Sequence, residues 1–223
     1  MALLNFNVQG VALSISYAMI NTRLKVALES GRYEDSLARA VKELLRPDDV
    51  YFELGAGIGF LSTLAARVLG DAARVHVYEA NPELIPVIKR TWKDNAVAGN
   101  VYNCILGAGP RDARDFHVAP AFWASSADIA YPKSETIQVE QRDLLKQMDK
   151  KAATFLVVDI EGGERDVLDK ALSPLVRVVV AHYHARIVGQ EMVDALWRHL
   201  EEQGFREVPE LTAGIVKAYV RGA

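Results

Sequence analysis

Short apolar runs alternate with longer amphipathic stretches along most of this chain. V-Y-F-E-L at 50–54, R-V-H-V-Y at 74–78, V-Y-N-C-I-L at 101–106, T-F-L-V-V at 154–158 and V-R-V-V-V-A-H at 176–182 are compact and rich in β-branched and aromatic residues. They predict strands, and the unbroken run before Asp159 predicts one covered on both faces. The stretches between them carry apolar residues at helical spacing. Leu61, Leu64, Ala65, Val68 and Leu69 form one stripe, and Leu84, Ile85, Val87, Ile88 and Trp92 form a second, with Pro86 near its start. Val167, Leu168, Ala171 and Leu172 form a third, and M-V-D-A-L-W-R-H-L, closed by Gly204, forms a fourth. Strand–helix alternation with right-handed crossovers predicts a doubly wound, Rossmann-like α/β fold with a mostly parallel sheet.

Two segments interrupt that alternation. D-F-H-V and T-I-Q-V-E read as strands flanking the loop A-F-W-A-S-S-A, which is either a binding wall or a packed hairpin. F-R-E-V and G-I-V-K-A-Y-V, with no helical spacing between them, predict an antiparallel pair at the sheet edge. The pattern is least decipherable over residues 1–31. Asn5, Asn7 and Gln9 break an apolar start that is expected to pack on the core or on a second copy, in a homodimer. A helix follows Gly31, capped by Asp35 or Ser36, with Leu37, Val41, Leu44 and Leu45 inward. Tyr33 and Glu34 at its start either reach a ligand or face solvent. Residues 1–46 are thus expected to be a helical extension or lid, and 47–223 a catalytic domain.

Composition narrows the class. The 223 residues, half of them hydrophobic, suffice for one large core. A net charge of −3 and the absence of a basic run argue against nucleic acid as the partner. No stretch is long enough to span a bilayer. Cys104, the single cysteine, excludes an internal disulfide and suits a reducing cytoplasm; its apolar neighbours mark a buried thiol.

Candidate chemistry concentrates where the first strand ends. E-L-G-A-G-I-G places glycines at 55, 57 and 59, directly before a helix. Such a turn brings bare backbone N–H groups up to a ligand. The dinucleotide fingerprint G-x-G-x-x-G would need glycine at Phe60, so the third glycine comes one residue early. Glu53, two residues before the turn, would repel a pyrophosphate and suit a cation. S-adenosylmethionine, with a sulfonium and an ammonium and no phosphate, meets that requirement. Glu79 ends the second strand 20 residues past Gly59, placed for ribose hydroxyls.

Several motifs together resemble the FkbM family of S-adenosylmethionine-dependent methyltransferases. V-D-I-E-G-G-E-R-D-V-L is similar to that family's D-x-E-G-x-E-x-x-x-L. E-L-G-A-G-I-G-F-L-S resembles D-x-G-A-N-x-G-x-x-S, Y-E-A-N-P resembles E-P-N-P, and R-D-L-L resembles L-D-D-L-L. The resemblance runs from about Tyr33 to His184. Gly57 stands in place of the family's usual asparagine, Val158 where lysine often precedes the aspartate, and His182 where glutamate often ends the fifth strand.

The candidate cofactor residues are accordingly Glu53, Gly55, Ala56, Gly57, Gly59, Phe60, Glu79, Ala80, Asn81 and Asp159. The resemblance implies O-methylation of a hydroxyl on a small molecule such as a sugar or polyketide. An alcohol must lose its proton, and Asp159, Glu161, His182 and His184 are the candidate catalytic groups. Asp159 beside His182 reads as a base with its orienter. The same cluster could hold a divalent cation, but no resident metal is expected. The rival readings are a nicotinamide-dependent oxidoreductase and a non-catalytic module that binds the cofactor.

Overall fold

The computed structural model describes residues 2–222. The chain begins with strands β1 (Leu3–Val8) and β2 (Val11–Ser16), followed by helices α1 (Thr22–Glu29) and α2 (Asp35–Leu44). Then come β3 (Tyr51–Leu54), α3 (Phe60–Leu69), β4 (Val75–Tyr78), α4 (Ile85–Asp94) and β5 (Asn100–Tyr102). An inserted region comprises β6 (Ile105–Gly107), β7 (Arg111–Val118), β8 (Glu135–Asp143) and α5 (Leu144–Lys151). The chain continues through β9 (Phe155–Val158), α6 (Glu164–Leu168), β10 (Val178–His182), α7 (Ala185–Val188) and α8 (Gln190–Glu202) to β11 (Phe205–Glu207) and β12 (Val216–Arg221).

Seven strands form the central sheet in the order β11-β12-β10-β9-β3-β4-β5. From β10 to β5 every neighbouring pair is parallel; β12 runs antiparallel to both β10 and β11. The predicted edge pair is therefore present, with its second strand inserted inside the first. β3, β4 and β9 are fully buried, because helices cover both faces. Strand order reverses between β3 and β9, and such switch points collect ligands beyond the carboxyl ends of the strands. At the opposite end Arg177 grips Asp49, donating from Nε at 2.8 Å, while Thr154 Oγ1 donates to the same carboxylate at 2.7 Å.

The amino-terminal segment differs from the expected helical extension. Residues 3–16 form an antiparallel hairpin, and helices occupy only 22–29 and 35–44. Val8, Val11, Leu13 and Ile15 are fully buried at alternate positions of the pairing, a strand period around a turn at Gln9 and Gly10. The apolar face is spent on the chain's own helices α3 and α4. Asn95, which caps the carboxyl end of α4, clamps it, accepting from the Ala12 N–H at 2.9 Å and donating to the Ala12 carbonyl at 2.7 Å. Neither Asp35 nor Ser36 caps α2; Glu34 occupies that position without a side-chain cap bond.

V-Y-N-C-I-L also breaks where one strand was expected. β5 stops at Tyr102, and β6 joins a separate three-stranded sheet, in the order β6-β8-β7. The cause is Asn103, whose amide donates to the carbonyls of Glu79 and Ala80, both at 2.9 Å. A side chain that binds backbone in this way competes with the ladder.

Candidate functional site

Three strand ends meet at one cleft. The ladder runs one residue past each strand: Gly55 N–H donates to Tyr78 O at 2.9 Å, Asp159 N–H to Leu54 O at 2.9 Å, and Glu79 N–H to Tyr102 O at 3.0 Å. A cleft opens there, lined by residues of all three strand ends and of the inserted region.

Gly55 is where the packing demands glycine. Its φ is +81°, and a Cβ built on it would stand 1.9 Å from the Asp159 carbonyl oxygen. The glycine turn thus lies directly on the backbone of Asp159. Gly57, at φ +53°, meets only ordinary contacts from Tyr33 Oη at 3.5 Å and Phe122 Cε2 at 3.7 Å. Glu79 Oε2 accepts from Gly57 N–H at 3.0 Å, and Oε1 accepts from Asn81 N–H at 2.8 Å. Burial lifts the Glu79 carboxyl to about 7, although these N–H bonds pull it the other way.

Of the residues expected to hold a cofactor, Gly55, Gly57, Glu79, Ala80 and Asp159 line the cleft. Ala56, Gly59, Phe60 and Asn81 support them from behind: Ala56 accepts the Gly59 N–H at 2.9 Å, and Phe60 opens α3. Glu53 sits behind the turn rather than on its face. It is 1 % exposed and accepts from Tyr51 Oη at 3.1 Å. Burial and the charge of Glu34 hold its carboxyl well above the usual range.

Of the four candidate catalytic groups, Asp159 and Glu161 line the cleft, and His182 and His184 stand against them without lining it themselves. Asp159 Oδ1 lies 2.8 Å from His182 Nδ1, which follows from their neighbouring strands. Burial opposes ionisation of Asp159, but the charge and hydrogen bond of His182 hold its carboxyl below the ordinary value. The rings of His182 and His184 are 4.4 Å apart, on one face as alternation requires, while Tyr183 turns away onto Trp197. His184 is occupied at both nitrogens: Nδ1 lies 2.5 Å from Glu164 Oε1, and Nε2 lies 3.2 Å from Glu161 Oε1. Burial would lower its pKa, but hydrogen bonds to Glu161 and Glu164 raise it to about 10. An imidazolium clamped between two carboxylates is a poor proton acceptor, so His184 is better suited to holding Glu161 in place.

Several residues here were not singled out by sequence. Glu164, fully buried, completes the His184 clamp. Asn103 fixes the strand end that carries Glu79. Arg114 lines the cleft but is committed to Asp166 at 2.7 Å and Asp128 at 2.8 Å. The aromatic loop is a wall: Phe122, Trp123, Ser125 and Ser126 line the cleft, and Ser126 Oγ donates to the Glu161 carbonyl. Asn103 and Arg114 carry no spacing signal, because each acts through partners distant in sequence, whereas Glu164 is the second glutamate of the D-x-E-G-x-E match and the loop was read as either a wall or a hairpin. Asp159, His182 and His184 also bring one donor atom each within 4.8 Å of one another.

No curated protein matches the chain by sequence. Among solved structures, TYW2 from M. jannaschii in complex with AdoMet superposes with a TM-score of 0.50 at 16 % identity, covering 98 % of this chain and 83 % of that one. PH0793 from Pyrococcus horikoshii gives the same TM-score and identity over 98 % of this chain and 70 % of its own. These likenesses establish the Rossmann-like fold. The methyltransferase FkbM domain matches residues 53–207, more than half of the sequence. The chain belongs to the FkbM methyltransferase family, whose cofactor is S-adenosylmethionine.

Proposed function

We propose that this protein transfers a methyl group from S-adenosylmethionine to a hydroxyl of a small molecule. The observation that carries this reading is the Asp159–His182 pair, joined at 2.8 Å beside the glycine turn. The cleft fits the cofactor by charge. Glu34, Glu79, Asp159 and Glu161 line it, and Arg114, its single lining cation among the described residues, is already paired. A pyrophosphate would face those acids unaided, which disfavours the nicotinamide reading. Gly55 and Gly57 present open backbone, Glu79 would hold the ribose, and Asp159 would stand beside the sulfonium.

The cofactor supplies a methyl group already activated on a cationic sulfur. The chain's residues then have two tasks. Phe122, Trp123 and Phe116 exclude water and orient the acceptor, and such alignment contributes on the order of 7–11 kcal/mol in favourable cases. His182 takes the acceptor's proton at Nε2 while its Nδ1–H donates to Asp159, a contribution of roughly 10²–10⁴-fold. His184 and Glu164 hold Glu161 beside them.

A second reading rests on the close approach of Asp159, His182 and His184: a divalent cation there would lower the acceptor's pKa directly. The test is transfer of labelled methyl from S-adenosylmethionine to a panel of hydroxylated metabolites, with and without chelator. Transfer that survives chelation supports the His182 base, and loss restored by a divalent cation supports the metal. Binding of the cofactor with no transfer to any hydroxyl would overturn O-methylation.

A further inference from the structure

Residues 33 and 34 lie outside the matched family domain, which begins at 53, yet both line the cleft. Tyr33 is buried and packs edge-on against Phe60, with ring centroids 5.6 Å apart. Its Oη stands 3.5 Å from where a Cβ on Gly57 would be, so this segment lies over the glycine turn. Glu34 follows in the left-handed region, at φ 50° and ψ 33°. A glutamate has no intrinsic preference for that conformation, and its side chain does not cap the helix it precedes. The conformation instead holds a carboxylate at the cleft, beside Tyr33 and within electrostatic reach of Asp159 and Glu53. Acids converging without a free cation destabilise one another unless a positive group enters.

The bound cofactor would carry two positive groups. Its sulfonium must face the acceptor beside Asp159 and His182. Its ammonium, at the far end of the amino-acid tail, needs a carboxylate of its own. Glu53 is sealed behind the turn, and Glu79 is taken up by backbone N–H groups. We propose that Glu34 binds the α-ammonium of S-adenosylmethionine, so that the segment leading into α2 forms the wall around the cofactor's amino-acid end. This rests on the reading that the cofactor lies over the glycine turn.

The test compares S-adenosylhomocysteine, which keeps the ammonium, with 5′-methylthioadenosine, which lacks the whole amino-acid tail. Calorimetry on Glu34→Gln should show roughly ten- to hundredfold weaker binding of S-adenosylhomocysteine, the loss of one hydrogen bond between charged groups, with methylthioadenosine unchanged within about twofold. Glu34→Gly, which adopts the left-handed turn freely, should keep the wild-type melting temperature and show the same selective loss. Equal losses for both nucleosides, or no loss for either, would overturn the assignment of Glu34 alone. A wild-type protein that binds neither nucleoside would overturn the cofactor placement as well.

Discussion

Gly55→Ala isolates the contact between the glycine turn and the acid it serves. The new Cβ would arrive 1.9 Å from the Asp159 carbonyl oxygen, while real Cβ atoms essentially never come closer than 3.0 Å. The Asp159 carbonyl must therefore retreat by about 1.1 Å, the difference between those distances. An alanine held at φ +81° adds about 1–2 kcal/mol. Overpacking adds about 1–3 kcal/mol, for a total of roughly 2–5 kcal/mol. In a chain of this size that lowers the melting temperature by roughly 4–20 °C. Catalysis should suffer more than stability, because the displaced residue holds His182, and a shift of about 1 Å can cost on the order of 10²-fold. Gly57→Asn is the control: its φ of +53° is open to asparagine, and the nearest side chains leave 3.5 Å. It should stay within about 1 kcal/mol of wild type. Differential scanning calorimetry and single-turnover methyl transfer read both quantities. If Gly55→Ala melts and turns over like the wild type, the turn does not fix Asp159 and the reasoning fails.

His182→Ala should lower turnover by roughly 10²–10⁴-fold while cofactor affinity by calorimetry stays within about twofold; a parallel loss of both would make His182 structural. The His184 clamp gives a pH signature. Its folded pKa of about 10 exceeds the ordinary 6.5, so its stabilisation is complete below pH 6.5 and is lost as pH rises toward 10. Glu164→Gln removes one clamping carboxylate and should flatten the decline in melting temperature across that range; parallel curves for the two proteins would contradict the clamp. Asn95→Ala leaves the Ala12 backbone without its partners, at a cost of about 1–3 kcal/mol. Hydrogen exchange should then accelerate over residues 3–16 first, and uniform acceleration would refute a local role.

What the sequence made legible was local in origin. A glycine turn, an acid closing a short strand and a fully apolar run each announce themselves within ten residues, and β3, β4 and β9 stand as expected. Val11, Leu13 and Ile15 did alternate, with Gln9 and Gly10 supplying a left-handed turn, but a six-residue strand in an apolar stretch competes with a helical reading. Asn103 ended a strand because its amide binds backbone more than twenty residues away. The pairing of Asp159 with His182 followed from strand order, whereas that of His184 with Glu164 depended on how the turn after β9 folds back. Glu53 was read by its charge, and burial decided otherwise.

The placement of β12 governs the order in which this site can assemble. His182 pairs with Val216, so β10 stays an open sheet margin until residues 216–221 have left the ribosome. During synthesis the strand that ends in His182 is therefore paired last, after the glycine turn and β3 have left the ribosome. A nascent chain halted before residue 216 would hold that turn in a sheet with a ragged, sticky flank, and chaperones that recognise exposed strand edges should engage it there.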